Sequence, residues 1–184
     1  MNTPPSVPRK LERADSREPF NSGVDELDIW LKKYADQNQK ANSAVTYVTC
    51  VDGEVVGYYA VAVAAISHEE EPSKLRKQAP RQIPCVLIAR RAVDLRHAGQ
   101  GLGAGLLKDA LRRSLQVSES VGAMAVLIHA RDEVARSLYE HHVDCCPSPV
   151  DDLQLMIPMA RIAQVYGTSD SSSAQSRDDS EAKR

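Results

Sequence analysis

The chain has 184 residues, is 42% hydrophobic and carries a net charge of −2, values that fit one domain with a substantial core. Aromatics make up only 4%, so Val, Leu, Ile and Ala must build that core, and the charge excludes a surface that binds nucleic acid everywhere while allowing a local basic patch. No apolar run reaches the roughly 18 residues of a membrane span and no apolar leader stands at the start, so a cytoplasmic location without membrane contact is expected.

Residues 1–18, with prolines and mixed charge, are expected to form a flexible arm. Ser22-Gly23-Val24-Asp25 reads as a helix start, with Ser22 as N-cap and an acid three residues on. Val24, Leu27, Leu31 and Tyr34 then recur at helical spacing, and Ile29 and Trp30 widen the stripe. Residues 45–51 and 54–66 are strand-like and joined by Asp52-Gly53, a strong hairpin signal. A short helix is expected over residues 72–78, then a buried strand over 86–94, a glycine-rich loop from Ala98, and a helix to about Ser120. Residues 124–129 form an apolar strand, Asp132 caps a helix running to about His142, and residues 153–157 form a last strand. Residues 167–184 lack a core pattern and are expected to be a disordered tail. This order predicts one mixed α/β (α+β) domain over residues 19–166, without internal repeats.

The four cysteines do not suggest a metal site. Cys50 and Cys85 stand alone in strands, and the adjacent Cys145-Cys146 lack the spacing that lets two thiolates share one zinc. His141 and His142, as helix neighbours, are expected to point apart.

The glycine loop is the most informative segment. A strand followed by Gly99-Gln100-Gly101-Leu102-Gly103-Ala104 and an amphipathic helix brings backbone amides and a helix N-terminus close to an anion. A dinucleotide fingerprint fails because Ala104 and Leu106 stand where its later glycines would fall, and no Gly-Lys-Ser/Thr of a P-loop occurs.

The spacing that remains, Gln100-Gly101-Leu102-Gly103 after Ala92-Val93-Asp94, resembles the acyl-CoA pyrophosphate loop of GNAT-fold N-acetyltransferases, with Ala98 in place of the usual Arg or Gln. Over residues 20–162 the chain is similar to one branch of that family, the toxins of type II toxin–antitoxin pairs that acetylate aminoacyl-tRNA. The likeness rests on Phe20-Asn21-Ser22-Gly23, Leu27-Asp28-Ile29-Trp30-Leu31, Val56-Gly57-Tyr58-Tyr59-Ala60, Leu87-Ile88-Ala89-Arg90 and Ser137-Leu138-Tyr139-Glu140. Pro147-Ser148-Pro149 and the segment from Leu153 to Pro158 match the closing loop and strand. After the tyrosine the branch usually has Gly-Phe, and here His142-Val143-Asp144-Cys145 stands instead.

The resemblance implies the GNAT acyl-CoA N-acyltransferase fold, a central mixed, mostly antiparallel sheet flanked by helices. It also implies acetyl-CoA as co-substrate without a metal. Backbone groups of Ala92 and Val93 would meet the pantetheine arm, with the Val93 amide polarising the thioester carbonyl. Gly99, Gln100, Gly101, Leu102, Gly103 and Ala104 would surround the pyrophosphate, and Tyr139 would be the general acid. A phenol, ordinarily near pKa 10, can protonate a departing thiolate whose thiol lies near 8.5. No carboxylate stands out as a base, which suits an α-amine, partly neutral near pH 8, better than a lysine near 10.4.

Between Pro72 and Val93 every charged residue is basic. Lys74, Lys77, Arg90 and Arg91 are the candidate tRNA contacts; the two arginines interrupt an apolar strand and point to opposite faces. The partners implied are aminoacyl-tRNA, a ribbon-helix-helix antitoxin, DNA only through that antitoxin, and a second copy of the chain. Two alternatives stay open: acetylation of a small-molecule amine or protein N-terminus, and a weakly active antitoxin-bound co-repressor.

Overall fold

The computed structural model describes residues 3–67, 81–147 and 151–167. The expected helix over residues 72–78, Lys74, Lys77 and nearly all of the expected C-terminal tail lie outside these. Seven strands form one sheet in the order β1-β2-β3-β4-β5-β7-β6. In chain order, β1 (Arg9–Lys10) precedes α1 (Asp25–Ile29), a π-helical turn (Trp30–Tyr34) and α2 (Ala35–Lys40). Next come β2 (Val45–Val51), β3 (Glu54–Ser67), β4 (Gln82–Val93), a 3-10 turn (Leu95–His97) and α3 (Leu102–Val121). The chain closes with β5 (Ala125–His129), α4 (Glu133–His142), β6 (Cys146–Pro147), β7 (Gln154–Pro158) and α5 (Met159–Tyr166). All strand pairs are antiparallel except β4–β5, so the mixed, mostly antiparallel sheet is as expected.

Asp52-Gly53 makes the β2–β3 hairpin with φ of 50° and 83°, the double left-handed geometry of a tight two-residue turn. One sheet face carries α3, α4 and α5 over Tyr59, Val86, Ile88, Val126 and Ile128, all buried. Phe20, Trp30, Leu31, Val48 and Tyr58 form a second cluster with the N-terminal helix. Burying this branched and aromatic surface stabilises by about 25 cal/mol per Å² of apolar area.

Four local details are decided by packing. The helix cap falls at Val24 rather than Ser22, because the Ser22 Oγ and amide both donate to the Asp28 carboxylate, at 2.6 and 2.9 Å. Residues of the expected N-terminal arm instead add an edge strand to β2: Arg9 makes a two-pronged pair with the buried Asp15, at 2.6 and 2.9 Å, and Leu11 is buried. The missing Gly-Phe after Tyr139 is replaced by an extended Val143, whose amide donates to the Tyr139 carbonyl at 2.9 Å, with Val143 and Cys145 packed against the main core. Rather than pointing apart, the His141 and His142 rings meet edge to face at 5.4 Å.

Candidate active site

The site starts from a bulge. In the β3–β4 ladder Val61 faces Ile88 while Ala60 faces Arg90, leaving Ala89 as an extra residue in β4. The bulge switches side-chain parity, so Arg91 and Val93 share a face with Val86 and Ile88, and Arg90 joins the face of Trp30.

The parallel β4–β5 pairing runs only from Cys85↔Ala125 to Ile88↔Ile128, so residues 89–93 have β3 as their one strand partner. The Asp94 amide donates to the Val56 carbonyl at 2.9 Å. By the alternation of an antiparallel ladder, Ala92 also directs its peptide groups to β3, whereas those of Arg91 and Val93 face the open side. Of the two residues expected to offer backbone groups to a pantetheine arm, Val93 has them free and Ala92 does not. A cleft of about 460 Å³ opens there, lined by Val24, Arg91, Val93, His129, Ala130 and Tyr139 among others.

Beyond β4, Asp94 caps the 3-10 turn. Its buried carboxylate accepts from the amides of Asn21 (3.0 Å) and Arg96 (2.9 Å) and from the Arg96 guanidinium (2.8 and 3.1 Å). Burial alone would push this carboxyl up, yet Arg96 and the two amides together hold it below the usual range. Asp94 thereby ties the end of β4, the start of the glycine loop and the segment before α1. The sequence signal for this tie is an acid two residues before an Arg at a strand-to-turn junction.

Gly99 and Gly101 both adopt left-handed φ, 75° and 79°, with open space where a Cβ would stand. Gly105 is the first α3 residue whose amide finds a helical acceptor, the Gly101 carbonyl at 3.1 Å, so the amides of Leu102, Gly103 and Ala104 are the helix's free N-terminal donors. These donors, the exposed Gln100 and the open Val93 backbone lie along one side of the sheet and fit a diphosphate joined to an extended polar arm. The methyl group of Ala98 offers no polar atom to assist them.

Tyr139 is buried on α4, a helix begun by Asp132, which accepts the Ala135 amide at 2.8 Å. The Arg91 guanidinium carbon lies 4.8 Å from the Tyr139 ring centroid; its Nε donates to the phenol oxygen at 3.4 Å and its Nη1 to the Gly103 carbonyl at 2.5 Å. Arg90 lies over Trp30 at 5.1 Å and reaches Glu26 at 4.0 Å, while its buried Nε has no acceptor among the described residues. The two arginines thus do face opposite ways, and Arg91, expected on a phosphate-binding surface, is engaged inside the cleft. His129, also missed from sequence, borders the cleft beside Gln154 at 3.1 Å. Among the described residues no group of three or more His, Cys, Asp or Glu converges as a metal site, and no helix is long and apolar enough to cross a membrane.

Residues 9–143, which hold the parallel strand pair, the bulge beside it and the N-terminus of α3, match the Acetyltransferase (GNAT) family, to which the chain belongs. It is 41% identical to the tRNA-acetylating toxin of Mycobacterium tuberculosis over 88% of this chain and 97% of that protein. It is also 28% identical to a probable toxin TacT of Sinorhizobium fredii, covering 89% and 93% of the two chains. Among solved structures, AtaT complexed with acetyl-methionyl-tRNAfMet superposes with a TM-score of 0.80 at 23% identity, covering 86% of this chain and 98% of that one. AtaT bound to acetyl-CoA and the C-terminus of the antitoxin AtaR gives 0.74, covering 87% and 97%.

Proposed function

We propose that the chain acetylates the α-amino group of aminoacyl-tRNA with acetyl-CoA as donor and so blocks translation, as the toxin of a toxin–antitoxin pair. The observation that carries this reading is the 41% identity to a tRNA-acetylating toxin along nearly the whole of that protein. Acetyl-CoA supplies an activated acetyl thioester. The amides of residues 99–104 hold its diphosphate, the Val93 amide polarises the thioester carbonyl, and Tyr139 protonates the departing sulfur. With residues 19–166 as the acetyltransferase unit, Arg90 is a contact for tRNA phosphates, and Lys74 and Lys77, by their charge in the sequence, are further ones. The work is cytoplasmic, with a ribbon-helix-helix antitoxin as partner, DNA contacted through that antitoxin, and the chain acting as a homodimer.

The cleft suits an α-amine, which needs little deprotonation, since among the described residues no carboxylate lines it beyond Glu26, which faces Arg90. The test is incubation with labelled acetyl-CoA and total charged tRNA. Label on the amino acid of the tRNA, lost by about 100-fold or more in Tyr139→Phe with acetyl-CoA affinity retained, is the expected result. Label on added small amines or protein N-termini but never on tRNA overturns it.

A further inference from the structure

Among the described residues Arg91 is the cation that meets both Tyr139 and the first turn behind the glycine loop. The bulge at Ala89 turns it onto the Tyr139 face, where its guanidinium is held at two points. Nη1 donates to the Gly103 carbonyl at 2.5 Å, in the first turn of the helix behind the glycine loop. Nε donates to the Tyr139 oxygen at 3.4 Å, at the long end of a hydrogen bond. The absent side chain at Gly103 is part of this arrangement, since a Cβ there would stand 3.2 Å from Arg91 Nη1.

A phenol oxygen has one proton to give and lone pairs to receive. An arginine is never a proton acceptor and has a fixed fork of donors. With Arg91 donating to a lone pair of Tyr139, the single O–H proton is left for another acceptor in the cleft. The same cation lies against the ring and oxygen on which negative charge appears once that proton leaves.

We propose that Arg91 is a positioning residue for Tyr139, orienting its proton toward the leaving sulfur and stabilising the phenolate that proton transfer leaves behind. This rests on Tyr139 being the general acid. In the step, the amine nitrogen bonds to the thioester carbonyl carbon and the carbon–sulfur bond breaks with its electron pair on sulfur. Tyr139 gives its proton to that sulfur. The new amide nitrogen loses its extra proton to water, and water returns a proton to the phenolate, so no charge or atom is left over. Arg91 takes no part in bond making. On this assignment it is not a tRNA contact.

The experiment is a double-mutant cycle on the full chain with Arg91→Met, Arg91→Lys, Tyr139→Phe and Arg91→Met/Tyr139→Phe, each checked by thermal melting. Arg91→Met is expected to lower kcat about 10- to 100-fold while the KM for acetyl-CoA and the affinity for charged tRNA stay within about two-fold. Arg91→Lys recovers part of kcat, since it restores charge without the planar fork. In the Tyr139→Phe background Arg91→Met is silent, because the group it acts through is gone. If Arg91→Met costs the same factor with or without the Tyr139 hydroxyl, or if its loss appears as weaker tRNA or coenzyme binding at unchanged kcat, the assignment to Arg91 is overturned. If Tyr139→Phe alone keeps full turnover, the general-acid reading beneath it fails first.

Discussion

Replacing Asp94 tests how the site is held open. Its side chain is 1% exposed and receives two backbone amides as well as the Arg96 guanidinium. Asp94→Ala strands those amides, and each buried donor without an acceptor costs about 1–3 kcal/mol. Arg96 is 51% exposed, so its guanidinium regains water and adds less than about 1 kcal/mol. The sum is a loss of about 2–7 kcal/mol in urea unfolding, and Asp94→Asn, which keeps one acceptor oxygen, should lose about half of that. The two stranded amides belong to the segment before α1 and to the start of the glycine loop, so the KM for acetyl-CoA should rise in both variants. The pH dependence has a defined sign. Because the folded-state carboxyl is held below its unfolded value, its stabilisation is complete above about pH 4 and is lost as pH falls through the folded value. The gap between wild type and Asp94→Asn should therefore narrow in acid. Two variants within about 0.5 kcal/mol of wild type at pH 7, or a gap that widens in acid, would refute the reasoning.

Gly57→Ala would place a Cβ 2.9 Å from Leu106 Cδ1 and 3.1 Å from Thr49 Cγ2. A loss of about 1–3 kcal/mol is expected by thermal or urea unfolding, with α3 pushed off β3. Asp132→Ala removes the cap of α4 and should lower stability by about 1 kcal/mol. Since α4 carries Tyr139, it should also reduce kcat more than acetyl-CoA affinity, as steady-state kinetics alongside calorimetry would report.

Much of the architecture was legible because its signals are local. Asp52-Gly53 announced a two-residue turn, Asp132 announced α4, and the apolar runs in β4 and β5 stood out between glycine and polar punctuation. The elements that escaped are short or depend on distant partners. Strand β1 is two residues of like charge whose pairing is held by Arg9 and Asp15, an ion pair without a periodic signature. Helix α5 shows Met159, Ile162 and Tyr166 at helical spacing, but eight residues directly after a strand give little room for a pattern. In the site, the glycine loop, Tyr139 and the opposed arginines were readable from residue types and likeness to the family. The side of the sheet each arginine would take, and the loss of Ala92's peptide groups to β3, were not. Both depend on a bulge in the ladder with β3, which depends on pairing across the sheet and leaves no mark in the local sequence.

That extra residue also makes the two sides of β4 separable by heredity. Positions 90 and 92 vary against the Trp30 cluster, positions 91 and 93 against Tyr139 and the glycine loop, and a point change on one side leaves the other's inventory intact. A single-residue deletion at Ala89 would remove the bulge and still leave both inventories in place, because Ile88 and Arg90 already face consecutive residues of β3. Drawing Ala89 into the regular ladder is the change that would exchange the two walls, since it moves residues 90–93 one place along β3.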